Sequence, residues 1–379
     1  MEYKGTIDDI RLKIERRMNN NPPCSEMYEK GTVDQNHRYE PEYFNMNQGD
    51  GWTRSFLNGA VALLYFHYKD EKYLDYLEKA LPVYEKHLFS NLDDISHDAG
   101  FTYTLGPVAH YKVSGSESAR RIALKAADEM IKRFRIKAGI VQGFGRVDSP
   151  RAQTIIDDMM NLAVIMWAYT ETGNKFYKDV FESHIQKIYR YVMRDDYSFR
   201  HSFLFDISNG NPIGELNYCG YSIGSSWARG QMWALYGGIN ALEATEDAEL
   251  YLPKINGEIN YLYSKIKDGL IPVWDFNCVG ASSDMLDTSA AAIMVSALLK
   301  LGYGDNGCEL TGPVKDCIKL ADDILEVLLT KYMASDDADN ILEGGQCGEH
   351  NAGCVWGDYF LLEALMRKIY KNNMPDFWV

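Results

Sequence analysis

Two aspartates stand where proton transfer could be done. Asp157, in the segment IIDDMMNL, has Ile155, Ile156, Met159, Met160 and Leu162 as apolar neighbours that would dry out its carboxyl. Desolvation disfavours the charged form, raises a carboxyl pKa and suits the group to act as a general acid near neutral pH. The same position also fits a helix N-cap or a first-turn acid answering the helix dipole. Its neighbour Asp158 falls on a different helical face. Asp98 follows His97 and precedes Ala99-Gly100-Phe101, so a His-Asp pair enters a helix beside a glycine that permits close backbone approach. An N-cap is an open reading here too.

Arg229 and Trp233, in SSWARGQMWALYGG, are four residues apart and share one helical face. A guanidinium there can clamp a carboxylate and an indole can cover a sugar face. A surface arginine packed over a core tryptophan fits the same spacing. His201, in SFRHSFLFD, lies in an irregular stretch between helices, where a simple core role is less expected. The eight histidines are dispersed, and neither HExxH nor a clustered Cys/His spacing occurs, so no metal site is expected. GFGRVDS at 143–149 lacks the preceding strand of a dinucleotide fingerprint, and the chain has no P-loop and no GxSxG elbow. Carboxyl catalysis at a carbohydrate site remains.

Apolar residues recur at three- and four-residue spacing through most of the chain, while sustained strict alternation is scarce, which predicts an almost entirely α fold. Using Gly, Pro, Asn and Asp clusters as punctuation, helices are expected near 5–19, 54–69, 72–87, 100–114, 116–134, 156–172, 175–193, 224–245, 249–266, 286–302, 313–331 and 356–371. Short and long junctions roughly alternate, the rhythm of helical hairpins stacked in series. The unusual residues sit in the long junctions: GDGWTRSF, SHDAGF, TIIDDMMNL, GSSWARGQMW, DMLDTSAAA and VWGDYFLLEA each open an even-numbered helix. In a ring of hairpins the even helices run in one direction, so these six segments would meet at one end and form one site. That argues for a single domain over residues 1–379, since two domains would scatter them.

At 379 residues and 46% hydrophobic, the chain can bury a large core. The formal charge of −15 repels nucleic acid and anionic membrane surfaces, and it disfavours a long polyanion. A short anion can still bind where a local cation receives it. The beginning of the chain lacks a signal-peptide pattern, and no stretch reaches the length of a membrane span, so a cytoplasmic location is expected. Seven cysteines, at 24, 219, 278, 308, 317, 347 and 354, make no CxxC pair and are read as free thiols. Aromatic residues make up 13% of the chain; most must be core, leaving a minority to stack on sugars. Oligomeric state is not legible.

Taken together, HDAGF, IID..MNL, SSWARGQMWA, PVWDF and DTSAAAI resemble the unsaturated glucuronyl hydrolases, glycoside hydrolase family 88, along nearly the whole chain. The resemblance implies an (α/α)6 barrel of six helical hairpins, matching the twelve helices counted from periodicity. It implies a hydrolase acting on unsaturated di- or oligosaccharides left by polysaccharide lyases, whose nonreducing uronic acid carries a double bond between carbons 4 and 5. By resemblance, Asp157 protonates carbon 4 and then takes a proton from the water that adds at carbon 5, while Asp98 holds a ring hydroxyl and tunes Asp157. The hemiketal then opens and releases a keto-uronate. Trp52 would pack on the substrate, His97 and His201 would hydrogen-bond it, and Arg229 with Trp233 would complete the wall. No cofactor is implied.

The chain departs from the family pattern with Tyr218-Cys219-Gly220 in place of His-Gln-Gly, Gly143-Phe144 in place of Ser-Trp, and Trp52-Thr53-Arg54-Ser55-Phe56 in place of Trp-Thr-x-Gly-Phe. These changes place Phe144 and Cys219 at substrate-binding positions. GGQCGEHNAGC at 344–354 lacks the Ser and Lys pattern that some members use for a sulfate, which points towards unsulfated or unusual substrates. The alternatives are a family 105-like unsaturated rhamnogalacturonyl hydrolase and a noncatalytic glycan-binding barrel.

Overall fold

The computed structural model describes residues 3–23, 27–43, 51–90, 96–266, 268–304, 310–347 and 350–379. Cys24, Cys308, the Gly49-Asp50 start of the first junction and Gly348-Glu349 lie outside the described residues.

The helices are α1 (Lys4–Asn20), α2 (Phe56–Tyr68), α3 (Glu71–Ser90), α4 (Ala99–Tyr103), α5 (Ala109–Ser114), α6 (Glu117–Ile131) and α7 (Asp158–Asn161). They continue with α8 (Ala163–Thr172), α9 (Lys175–Lys187), α10 (Ala228–Thr245), α11 (Ala248–Ile266), α12 (Thr288–Tyr303), α13 (Cys317–Lys331) and α14 (Val355–Tyr370). A wide turn over Thr104–Val108 joins α4 to α5 in one rod; it contains Pro107, which has no N–H for the α-helical ladder. Counting α4–α5 and α7–α8 as single rods gives, among the described residues, the twelve helices expected, with ends shifted by a few residues.

Alternate rods form two layers. α2, α4–α5, α7–α8, α10, α12 and α14 pack side by side and close into an inner ring, α14 returning to α2. The outer helices lie against it: α3 on α2, α6 and α9 on α8, α11 on α10, and α13 on α12. Burial follows the layers. Every residue of α12 from Thr288 to Leu301 is buried, as an inner helix surrounded on all sides requires. Outer α6 buries one stripe, Ala119, Ile122, Ala123, Ala126, Ala127 and Met130, at three- and four-residue spacing. This is an (α/α)6 barrel.

Its axis is filled with rings. Phe101 meets Trp233 at 5.2 Å, Trp233 meets Phe360 at 5.6 Å, and Trp378 stacks on Phe360 at 5.7 Å and 14°. Burial of each such ring stabilises by roughly 1.5–3 kcal/mol, so the barrel has a packed core and not an open channel. Among the described residues, no helix is long and apolar enough to cross a membrane.

Among the described residues, nine short strands decorate the barrel, none of them expected from the sequence. The sheet that matters joins β5 (Ala152–Ile155), β6 (Ser202–Phe205) and β7 (Pro212–Leu216), all antiparallel, with Ile155 opposite Ser202 and Ser202 opposite Leu216. Two hairpins are also used below, β3 (Phe134–Arg135) with β4 (Ile140–Val141) and β8 (Gly345–Cys347) with β9 (His350–Ala352). With β1 (Met27–Glu29) and β2 (Pro41–Tyr43), these strands are five residues or shorter, too brief for period-two patterning to show against the helical background.

Candidate active site

The six junctions that open the inner helices meet, as expected. Thr102 bonds the Gly51 carbonyl, Trp52 lies 4.9 Å from Trp356, Asn161 bonds Asp98, and Arg229 reaches both Asp287 and the carbonyl of Gln346.

Asp157 sits in the turn between β5 and α7. The Ile156 N–H donates to the His201 carbonyl at 2.9 Å, so the sheet extends past its last strand pair and fixes this turn beside His201. Asp157 occupies the N-cap position of α7, yet its side chain makes no capping bond. Its Oδ2 is buried and has no hydrogen-bond partner among the described residues. The capping alternative therefore fails for this side chain, and the carboxyl is held free. Burial pushes its pKa up to about 7; the negative charge of Asp98 adds to this, and His97 and Arg229 oppose it. The positive end of a helix would favour the ionised form by about 0.3–1 kcal/mol, whereas a rise of about three units is worth about 4 kcal/mol. Desolvation wins, and a large share of Asp157 carries a proton at neutral pH.

Asp98 takes the equivalent position before α4 and likewise makes no capping bond. Its surroundings differ. Oδ1 accepts from Asn161 Nδ2 at 3.2 Å and lies 3.4 Å from His97 Nε2, and the side chain is 23% exposed. Asn161 is one turn after Asp157 and holds both helices together, since its Oδ1 accepts the Phe101 N–H at 2.9 Å. A Cβ on Gly100 would stand 2.0 Å from the Asn161 carbonyl oxygen, which is why glycine stands two residues after Asp98. Asn161 was not singled out from sequence, although its spacing of four from Asp157 was the available signal.

His201 is buried, and its Nδ1 accepts the Tyr218 N–H at 2.9 Å. Burial, aided by Arg229, lowers its pKa to about 4, so the ring is neutral with its proton on Nε2. That nitrogen has no partner among the described residues and can donate to a ligand. His97 and Tyr218 flank half-buried Phe144 edge-on, at 5.2 and 5.1 Å, so Phe144 does reach the site. Cys219 is an exposed residue whose thiol senses the charge of Asp157. Desolvation, followed by the charge of Asp157, pushes it up to about 12, leaving a neutral thiol.

Arg229 lies between two indoles, 4.7 Å from the Trp227 ring and 4.9 Å from the Trp356 ring, with Asp287 Oδ2 at 3.3 Å. Its Nε is buried and unpartnered among the described residues. Asp287 is the true helix cap that the other two aspartates are not: it accepts from the N–H groups of Ser289 and Ala290. Trp52 is half-buried against Phe56, Phe101 and Trp356. Trp233 differs from expectation. It has no exposed surface and belongs to the ring column beneath the site, because four residues of helix carry it about 6 Å deeper than Arg229. Trp227 and Trp356 take the flanking place. Among the described residues no three His, Cys, Asp or Glu side chains converge as metal ligands.

Residues 24–311 match the sequence profile of glycosyl hydrolase family 88. The chain belongs to that family. Among its relatives, an unsaturated glucuronyl hydrolase of Bacillus sp. strain GL1 is 33% identical, over 88% of this chain and 89% of the relative. An unsaturated chondroitin disaccharide hydrolase of Streptococcus pneumoniae is 31% identical over 85% and 82%. The solved structure of an unsaturated glucuronyl hydrolase from Bacillus sp. GL1 superposes with a TM-score of 0.88 at 29% identity, covering 100% of this chain and 99% of that one. This family 88 protein is an enzyme, a glycoside hydrolase of the unsaturated glucuronyl hydrolase type. Of the two barrel families weighed from sequence, the match is to family 88.

Proposed function

We propose that this family 88 hydrolase takes the 4,5-unsaturated uronic acid from the nonreducing end of short lyase products, with Asp157 as the single proton donor and acceptor. The observation that carries the reading is a buried carboxyl oxygen with no hydrogen-bond partner among the described residues, beside a second carboxyl, where burial pushes the Asp157 pKa up to about 7. Asp157 gives its proton to carbon 4 of the enol ether, and the cation that develops at carbon 5 is shared with the ring oxygen. Water adds at carbon 5 and returns a proton to the Asp157 carboxylate, so the residue ends as it began. The hemiketal opens to a ketone at carbon 5, leaving a hemiacetal at carbon 1 that collapses to an aldehyde and frees the shortened sugar. One carboxyl makes both transfers, so the separation of the two aspartates does not decide retention or inversion.

Asp98, steadied by Asn161, holds a ring hydroxyl. His97 and the His201 Nε2–H donate to the sugar, Trp52 and Phe144 cover its faces, and Arg229 receives the uronate carboxylate with its free Nε–H. Cys219 supplies only a neutral thiol at the rim, and Trp233 backs the wall from beneath. The leaving sugar is read as unsulfated. One ring of inner helices drawing on the chain from α2 to α14 supports a single catalytic unit. Free thiols at Cys219, Cys278, Cys317, Cys347 and Cys354 support the cytoplasmic setting.

The test is loss of enol ether absorbance across a panel of unsaturated disaccharides, for the wild type and Asp157→Asn. The variant is expected to keep substrate affinity and lose turnover by about 10² to 10⁴-fold or more. Full turnover by the variant refutes the mechanism, and no turnover of any disaccharide by the wild type refutes the substrate class.

A further inference from the structure

Directly behind the Asp157 turn runs a buried polar chain that the steps above do not use. His184 of α9 has no exposed surface, and its Nδ1 accepts the Val141 N–H of β4 at 2.8 Å. A neutral imidazole accepting at Nδ1 carries its proton on Nε2, which faces Thr154 Oγ1 at 3.0 Å and Asp158 Oδ2 at 3.7 Å. With its oxygen so engaged, the Thr154 hydroxyl donates to Asp158 Oδ2 at 2.8 Å, and the Ile155 N–H donates to the same oxygen at 3.0 Å. Every proton in the chain is thereby directed from α9 through β5 to Asp158. Thr154 and Ile155 precede Asp157 and Asp158 follows it, so the bonds clasp the turn that carries the acid.

A clasp of this kind is more than packing, because it ends on a charge. Asp158 is buried, its Oδ2 shows the acceptor pattern of a carboxylate, and its Oδ1 has no hydrogen-bond partner among the described residues. The cation facing it is Arg133, whose guanidinium is committed to the carbonyls of Gln142, Gly143 and Gly145 in the loop that carries Phe144. We propose that Asp158, Thr154 and His184 are positioning residues for Asp157: they fix the turn that aims its carboxyl, and Asp158 sets a negative charge behind it. A like charge behind a carboxyl favours its protonated form. The groups facing Asp157 are Asp98 and His97 from the start of α4, Arg229 of α10, Cys219 from the loop after β7 and Asp158 of its own turn. Within this set, Asp98 and Asp158 hold the proton on, and His97 and Arg229 oppose them. Asp98 stands at the mouth, where a bound sugar would touch it. Asp158 stands behind, buried away from the mouth.

The inference rests on Asp157 being the acid, and its test separates the two. In protein carrying carboxyl-¹³C aspartate, the Asp157 signal, assigned by its absence in Asp157→Asn, gives the titration midpoint without any substrate. Asp158→Asn is expected to lower that midpoint by about half a unit. Thr154→Val is expected to lower kcat about tenfold with KM changed less than about threefold, and Thr154→Ser to restore it. A midpoint unmoved in Asp158→Asn, or a Thr154→Val enzyme with wild-type kcat, overturns the proposal. Should Asp158→Asn fail to fold, the Thr154 pair decides by kcat and midpoint together. A shifted midpoint in an enzyme that turns over no unsaturated disaccharide would sustain the positioning role and refute the reaction instead.

Discussion

Replacing Asp98 by Asn tests the electrostatics of the site with little change of shape. The amide side chain of the Asp98→Asn variant keeps an oxygen that can accept from Asn161 Nδ2, which lies 3.2 Å from Asp98 Oδ1, so the link between α4 and α7 survives and only the charge is lost. Asp157 stands near 7 instead of 3.8, and the charge of Asp98 is second only to desolvation among the causes. The whole displacement is about 4 kcal/mol in favour of the protonated acid. Loss of one like charge across a largely dry gap is expected to remove about one unit of it, placing Asp157 near 6. Where half of the wild-type acid is protonated at pH 7, only about one tenth would then be so in the variant. The activity of Asp98→Asn relative to its own low-pH plateau should therefore fall about fivefold at pH 7 compared with the wild type.

The measurement is kcat/KM for an unsaturated disaccharide between pH 5 and 9, since this ratio reports the free enzyme. Two effects separate cleanly. A uniform drop at every pH reads the lost contact to the sugar, and the position of the falling limb reads the field at Asp157. A limb in Asp98→Asn that coincides with the wild type, or lies above it, refutes the coupling between the two carboxyls. The direction is fixed: the active form is the protonated one, so a lower pKa moves the loss of activity to lower pH.

Two further outcomes follow from the packing. Gly100→Ala should cost about 1–3 kcal/mol or more and depress turnover, because its Cβ would press on the Asn161 backbone at 2.0 Å and part α4 from α7; wild-type melting and activity would contradict that packing. Glu258 of α11 is buried with Oε1 unpartnered among the described residues, and desolvation alone raises its pKa well above 4.5. The fold keeps a proton that the unfolded chain releases, so stability is lost as pH rises above about 4.5, and Glu258→Gln should raise the melting temperature by at least about 2 °C more at pH 8 than at pH 5; an equal gain at both would refute the assignment.

Much of the frame was readable because inner and outer helices leave different traces. An inner helix such as α12 is apolar all round, an outer one such as α6 has a single stripe, and the two alternate along the chain with legible turns between them. The convergence of the junctions followed from that alternation alone. The details that failed are those a period cannot encode. Spacing of four places Arg229 and Trp233 on one face but does not say that the mouth ends between them, so Trp233 was expected a turn too high. Strands of two to five residues leave no periodic trace, and with them went the sheet that brings His201 to Asp157. Sequence separates Asp157 from Asp158 by helical face alone; the structure adds that Thr154 and Ile155 bond Asp158 Oδ2, whereas Asp157 makes no capping bond and its Oδ2 has no partner among the described residues.

That division bears on how a barrel of repeated hairpins comes to hold unlike acids. Asp98, Asp157 and Asp287 precede inner helices at equivalent places, and helix dipoles alone would leave all three ionised. Asp287 caps its helix and pairs with Arg229, an acid spent on structure. Asp98 accepts from Asn161 and keeps contact with solvent at the mouth, placed to meet a ligand. Asp157 has a buried Oδ2 with no hydrogen-bond partner among the described residues, and desolvation favours its protonated form. The fold supplies three similar positions, and the neighbours of each decide whether it caps, binds or donates. In a chain with a formal charge of −15, a neutral Asp157 also removes one repulsion that an anionic uronate would otherwise meet. The same dryness that keeps the acid loaded thus makes room for the substrate it is proposed to protonate.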